Sequence, residues 1–111
     1  VLVTEPINTR IQVISPRGKF VNFIGNWGVR EGHLFRPKGV AVLEDRVLIT
    51  DSYLGRVQVF GLRGDFLGIL LDSSGAPLKL VTPMGIAADA KRKCLYVVEL
   101  NENRICRIGL E

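Results

Sequence analysis

The chain has 111 residues, 47% of them hydrophobic and 23% charged, with a formal net charge of +4, a pI near 9.4 and a mean hydropathy of +0.23. These values describe a folded globular chain rather than a disordered one. No apolar run approaches the roughly 20 residues of a membrane-spanning helix, and one histidine with two cysteines, Cys94 and Cys106, excludes a zinc finger or ribbon by ligand count.

Taken in order, the chain opens on Val1 with no charged-then-apolar leader, and so reads as a cut inside a longer protein or a processed end. "VLVTEPINTRIQVI" at 1–14 predicts two strands around a turn, and "PRGKF" at 16–20 predicts a tight turn into a third. A long connection follows at 26–36. Four strands are then expected at Gly39–Val42, Val47–Thr50, Arg56–Phe60 and Asp65–Leu70, rich in Val, Ile, Leu and Phe and separated by Gly, Pro, Asp or Ser. A second long connection, 71–82, leads to "PMGIAA" at 83–88 and "LYVVELNENRICRI" at 95–108. None of these runs has the length and 3.6-residue period of a helix.

The same phrases recur at one spacing. Residues 1–14 return as "VLITDSYLGRVQVF" at 47–60 with six identities, "PRGKF" returns as "LRGDF" at 62–66, and "PKGVAV" at 37–42 returns as "PMGIAA", each 46 residues on. The third phrase lies 48 residues after the second, because "ADAKRKC" is longer than "VLEDR". Four short strands in a unit of this size are one propeller blade. A flat sandwich would need no such recurrence.

The stretch "FRPKGVAVLEDRVLITDSYLGRVQVFGLRGDFLGIL" at 35–70 resembles an NHL repeat: Pro-x-Gly-Ile/Val-Ala, a strand ending in Asp, Arg-Ile/Val-Gln-Val-Phe, then Gly-x-Phe. The third copy departs from that pattern at Glu99 and in "RICRI". The resemblance implies an all-β, partial β-propeller of NHL-type four-stranded blades, one complete and two incomplete, in units of about 1–36, 37–82 and 83–111. With strands lettered A (innermost) to D, the chain reads B-C-D, A-B-C-D, A-B-C. Such a set leaves apolar outer faces and strand edges uncovered, which predicts self-association to complete a ring.

In every copy an acid closes strand B and an arginine opens strand C: Glu5 and Arg10, Asp51 and Arg56, Glu99 and Arg104. Across a four-residue turn these positions face each other, which predicts three structural ion pairs rather than a ring of catalytic acids. Gly39 and Gly85 are expected where the inner strands converge, and Gly18 and Gly64 in the C–D turns. "GNWGVREG" at 25–32 lacks a following helix and the Gly-Lys-Ser/Thr ending of a phosphate loop. His33, without a nucleophile in context, reads as a loop histidine bonded to backbone. Hairpin register places Cys94 and Cys106 about 10 Å apart along the strands, so both are expected as thiols.

Function is sought in the connections that do not repeat. Trp27, Arg30, His33, Phe35, Arg36, Tyr53 and Lys79 are the candidate contact residues for a protein or peptide, the leading reading being a noncatalytic interaction scaffold. Some NHL propellers bind single-stranded RNA on this face, and Arg30, Arg36, Lys38 and Lys79 beside Trp27, Phe35 and Tyr53 would serve it. The cluster Lys91–Arg92–Lys93 lies on the opposite face, however, so the positive surplus sits away from the stacking groups. A third reading, part of a hydrolase or lyase with channel metal, needs inward His and acid ligands. The inner strands "GVAV" and "GIAA" offer none, so no metal, cofactor or catalytic residue is assigned to this segment.

Overall fold

Alternation of apolar side chains along short runs gives each strand two buried faces or one, and the tight turns between runs force antiparallel pairing. The computed structural model describes residues 1–7 and 9–110; Asn8 and Glu111 lie outside the described residues. Its strands are β1 (Leu2–Glu5), β2 (Arg10–Ile14), β3 (Phe20–Ile24), β4 (Pro37–Leu43), β5 (Arg46–Asp51), β6 (Arg56–Gly61), β7 (Phe66–Ile69), β8 (Pro83–Asp89), β9 (Cys94–Glu99) and β10 (Arg104–Gly109). They form three antiparallel sheets, β1-β2-β3, β4-β5-β6-β7 and β8-β9-β10. The middle sheet is a complete four-stranded blade. The first lacks an inner strand and the third lacks an outer one.

Local chemistry accounts for the turns. Leu43 pairs with Arg46, leaving Glu44 and Asp45 as a two-residue hairpin loop at φ 50° and 62°, the twist that suits adjacent right-handed strands. In the third sheet Asp89 pairs with Cys94, so that loop is longer and closes on Lys93 at φ 49°. Irregularities recur with the sequence: one follows Pro37 and another Pro83, and one falls between Val13 and Ile14 and again between Val59 and Phe60. Gly18 and Gly64 take φ of 82° and 92° in the β2–β3 and β6–β7 turns.

The middle sheet uses both faces. Val47, Ile49 and Phe60 meet Ile11, Ile24 and Leu34 in one core, with Leu2, Val13 and Val40 around it. Leu48, Val57 and Val59 meet Leu80, Leu95 and Val97 in a second core. Cys106 packs against the second core, and both cysteines are free thiols. The outer flanks differ: Val3, Phe20 and Phe23 on the first sheet and Val98 and Ile105 on the third are exposed, Ile105 at 68%.

The inner strands β4 and β8 approach closely around Thr50. Its Oγ1 accepts from the Gly39 N–H at 2.9 Å and donates to the Met84 carbonyl, tying two sheets together through one hydroxyl. A Cβ on Gly39 would stand 2.5 Å from the Met84 carbonyl oxygen and 3.0 Å from the Ile86 nitrogen. Gly85, its counterpart one repeat on, differs from the expectation of crowding, since a Cβ there would meet nothing within 4 Å. The reason is the missing neighbour: β8 has no inner strand packed on its far side. Gly39→Ala is therefore expected to cost about 1–3 kcal/mol in denaturant unfolding, whereas Gly85→Ala stays within about 0.5 kcal/mol. Equal effects at the two positions would contradict this packing.

Candidate functional site on the connector face

The connection 26–36 leaves the first sheet but is held by the second. Leu34, fully buried, drives it into the core between the sheets. The Leu34 N–H donates to the Asn26 carbonyl at 2.7 Å and the Gly28 N–H to the Leu34 carbonyl at 3.0 Å, closing the connector on itself. From β6, Gln58 donates through Nε2 to the His33 carbonyl and accepts from the Gly32 N–H at 2.8 Å. Gln58 has no solvent exposure, so this bidentate bond is formed in a dry setting where leaving either group unmade is costly.

Asp51 completes the attachment. Its carboxylate accepts from the backbone N–H groups of Phe35 (2.8 Å), Arg36 (3.1 Å), Tyr53 (3.2 Å) and Leu54 (3.0 Å) and is wholly buried. This corrects the ion pair expected between Asp51 and Arg56. The two residues do face each other in register, but the short aspartate is occupied by amides, and Arg56 turns instead to the Val29 carbonyl at 3.2 Å. Arg56 Nε is buried without a hydrogen bond among the described residues.

Glutamates reach further. Glu5 bonds Arg10 Nε at 3.0 Å and also accepts from Gln12. Glu99, with 1% of its side chain exposed, accepts from Arg104 Nε at 2.7 Å through one oxygen and from the Val81 N–H at 2.8 Å through the other. The Arg104 hydrogen bond, then the Val81 amide, hold the Glu99 carboxyl below its ordinary value against the opposing effect of burial. The common function of the acid in the second and third sheets is thus to receive the backbone of the incoming connector. The arginine is added where the acid is long enough to hold both.

On this frame stands an aromatic row. Phe35 and Tyr53 have ring centroids 4.3 Å apart, Trp27 and Phe35 5.8 Å, and the Arg36 guanidinium lies 5.7 Å from the Phe35 centroid. Trp27 and Tyr53 are 67% and 62% exposed. A cleft of about 320 Å³ opens beside the row between Pro6, Ile7 and Thr9 and the connector.

The structure therefore brings together four of the candidate contact residues, Trp27, Phe35, Arg36 and Tyr53. Arg30 is exposed further along the connector, and Lys79 is exposed in the other connection. His33 is half-buried beside Gly28; its N–H donates to the Arg30 carbonyl and its carbonyl accepts from the Gln58 side chain. Its ring Nδ1 is buried without a partner among the described residues, so the expected backbone bond is not made by the imidazole. Among the described residues no three His, Cys, Asp or Glu side chains converge as a metal site would need, and no helix is long and apolar enough to cross a membrane.

Neither a protein-family profile nor a curated protein sequence matches the chain. Solved structures do. Virginiamycin B lyase from Staphylococcus aureus, in a catalytically inactive form with quinupristin, superposes with a TM-score of 0.67 at 18% identity, over 97% of this chain and 33% of that one. An auxiliary nutrient-binding protein from Bacteroides thetaiotaomicron gives 0.68 at 14% identity, over 93% and 33%. Hydrazine synthase from Kuenenia stuttgartiensis gives 0.65 at 13%, over 96% and 31%. The chain is a partial β-propeller. It spans about a third of the length of each of these proteins, and at such identities the likeness is one of fold.

Leu34, Gln58 and Thr50 carry the site's frame and were not singled out from sequence. A signal existed for the first: "LFRP" at 34–37 returns as "LVTP" at 80–83, and Leu80 is buried in the second core as Leu34 is in the first.

The amide cage has a measurable signature. Asp51→Ala is expected to destabilise the fold by about 2–4 kcal/mol, because it strips a charged acceptor from several buried N–H groups. A double-mutant cycle between Asp51 and Arg56 should give a coupling below about 0.5 kcal/mol. A coupling well above that would restore the ion pair as the clamp.

Proposed function

We propose that the chain is part of an NHL-type propeller that acts as a noncatalytic scaffold, presenting its connector face to a protein or peptide. The observation that carries this reading is the row Trp27–Phe35–Tyr53 with Arg36, exposed at its ends and mounted on buried anchors. Rigid aromatic and arginine groups lose little conformational freedom on binding, and such residues dominate interface energetics. Leu34 and Gln58 already seal the groove between the first two sheets, so Trp27 is free to contact a partner rather than required for packing.

The test is a random-peptide selection on the 111-residue chain, followed by Trp27→Ala. Selected peptides are expected to lose at least about 2 kcal/mol of affinity, while thermal stability changes by less than about 1 kcal/mol. Ligands indifferent to Trp27→Ala, or a variant that no longer folds, would defeat the reading.

The same repeat makes the two flanks complementary. The outer face of the first sheet repeats the face that the middle sheet turns toward it, and the outer face of the third repeats the face that the middle sheet turns toward the third. We therefore extend the proposal to head-to-tail association of the isolated chain. Light scattering is expected to show a mass that grows with concentration; a folded monomer across the micromolar range would count against it.

A further inference from the structure

We propose that the cleft between Pro6, Ile7 and Thr9 and the connector is a subsite for an acidic peptide segment with an aromatic or proline anchor. The proposal rests on the reading of this face as a protein-binding surface and narrows the chemistry of its partner.

The cleft combines apolar and cationic lining. Pro6, Ile7, Trp27 and Phe35 supply its apolar lining, and Thr9, Arg36 and Lys38 the rest. At about 320 Å³ it lies at the small end of ligand-site volumes, room for one anchoring side chain rather than a long ligand. Ile7 is almost fully exposed and Trp27 largely so, leaving apolar surface that a ring or pyrrolidine would cover.

The acids that close the three hairpins are already satisfied. Glu5 is engaged by Arg10 and Gln12, Asp51 by backbone amides, and Glu99 by Arg104 and Val81. Among the described residues neither Arg36 nor Lys38 has an ion-pair partner, and the Arg36 guanidinium meets only the Phe35 ring. Two unpaired cations on the rim of an apolar slot call for carboxylates next to an apolar anchor. A single-stranded nucleic acid fits less well. It needs a track of cations along the strand, and the run Lys91–Arg92–Lys93 lies in the β8–β9 loop, at the other end of the sheets.

Trp27 is the only tryptophan in the chain, so its emission reports occupancy directly. Three tryptophan-free probes are titrated against the 111-residue chain: a peptide alternating Asp or Glu with Phe and Pro, its Lys/Arg counterpart, and an oligouridylate. The acidic peptide is expected to give a saturable emission change, and Arg36→Gln and Lys38→Gln each to weaken it roughly tenfold with melting unchanged. Equal binding of the acidic and basic peptides would overturn the acidic assignment while leaving a peptide surface in place. A response to oligouridylate alone would overturn both. Silence from the acidic peptide would overturn this proposal, the broader reading then resting on whether selected random peptides depend on Trp27.

Discussion

A buried carboxylate surrounded by backbone N–H groups organises this molecule. Asp51 ends one strand, but its oxygens belong to the connector arriving from the previous sheet. An unpaired charge in that position would be prohibitive, and so would unmatched amides; together they satisfy each other and set the path of residues 34–36. The apolar cores on either side supply most of the driving force. The carboxylate decides where the non-repeating segment lies on them.

From that placement the rest follows in sequence. Phe35 and Arg36 each donate an N–H to Asp51, which fixes their side chains relative to Tyr53, itself held by the same oxygens. Trp27 is brought back to Phe35 because the connector closes on itself through Leu34. The aromatic row is therefore a by-product of backbone capture, which ties it to a strand end although it sits on loops. Gln58 supplies a second point of capture. In the third sheet the corresponding position is Cys106, packed against the second core, and the connection 71–82 instead folds around Asp72, which accepts from Ser74 and Ala76.

Much of the fold was legible from recurrence alone. Repeated phrases placed the strands, the missing strands at either end and the hairpin register, because a period-2 pattern with tight turns leaves little choice. What could not be read was competition for one side chain. Aspartate and glutamate look interchangeable beside an arginine, yet one methylene decides whether the carboxylate reaches the guanidinium or stays with the amides. Trp27, Phe35 and Tyr53 were legible as neighbours on one face, but their ring contacts were not, since these depend on the path of a segment with no second copy to compare. Gly39 and Gly85 teach the same lesson: identical motifs, with different surroundings because only one has a neighbour.

The stagger between covalent order and attachment has a kinetic consequence. The connector precedes β5 and β6 in the chain, yet Asp51 and Gln58, the side chains that capture its backbone, lie on those strands. A growing or refolding chain must therefore complete the following hairpin before the preceding loop can settle, and the connector face of one sheet matures only when the next has formed. Assembly is thus directional, each blade finishing the one before it.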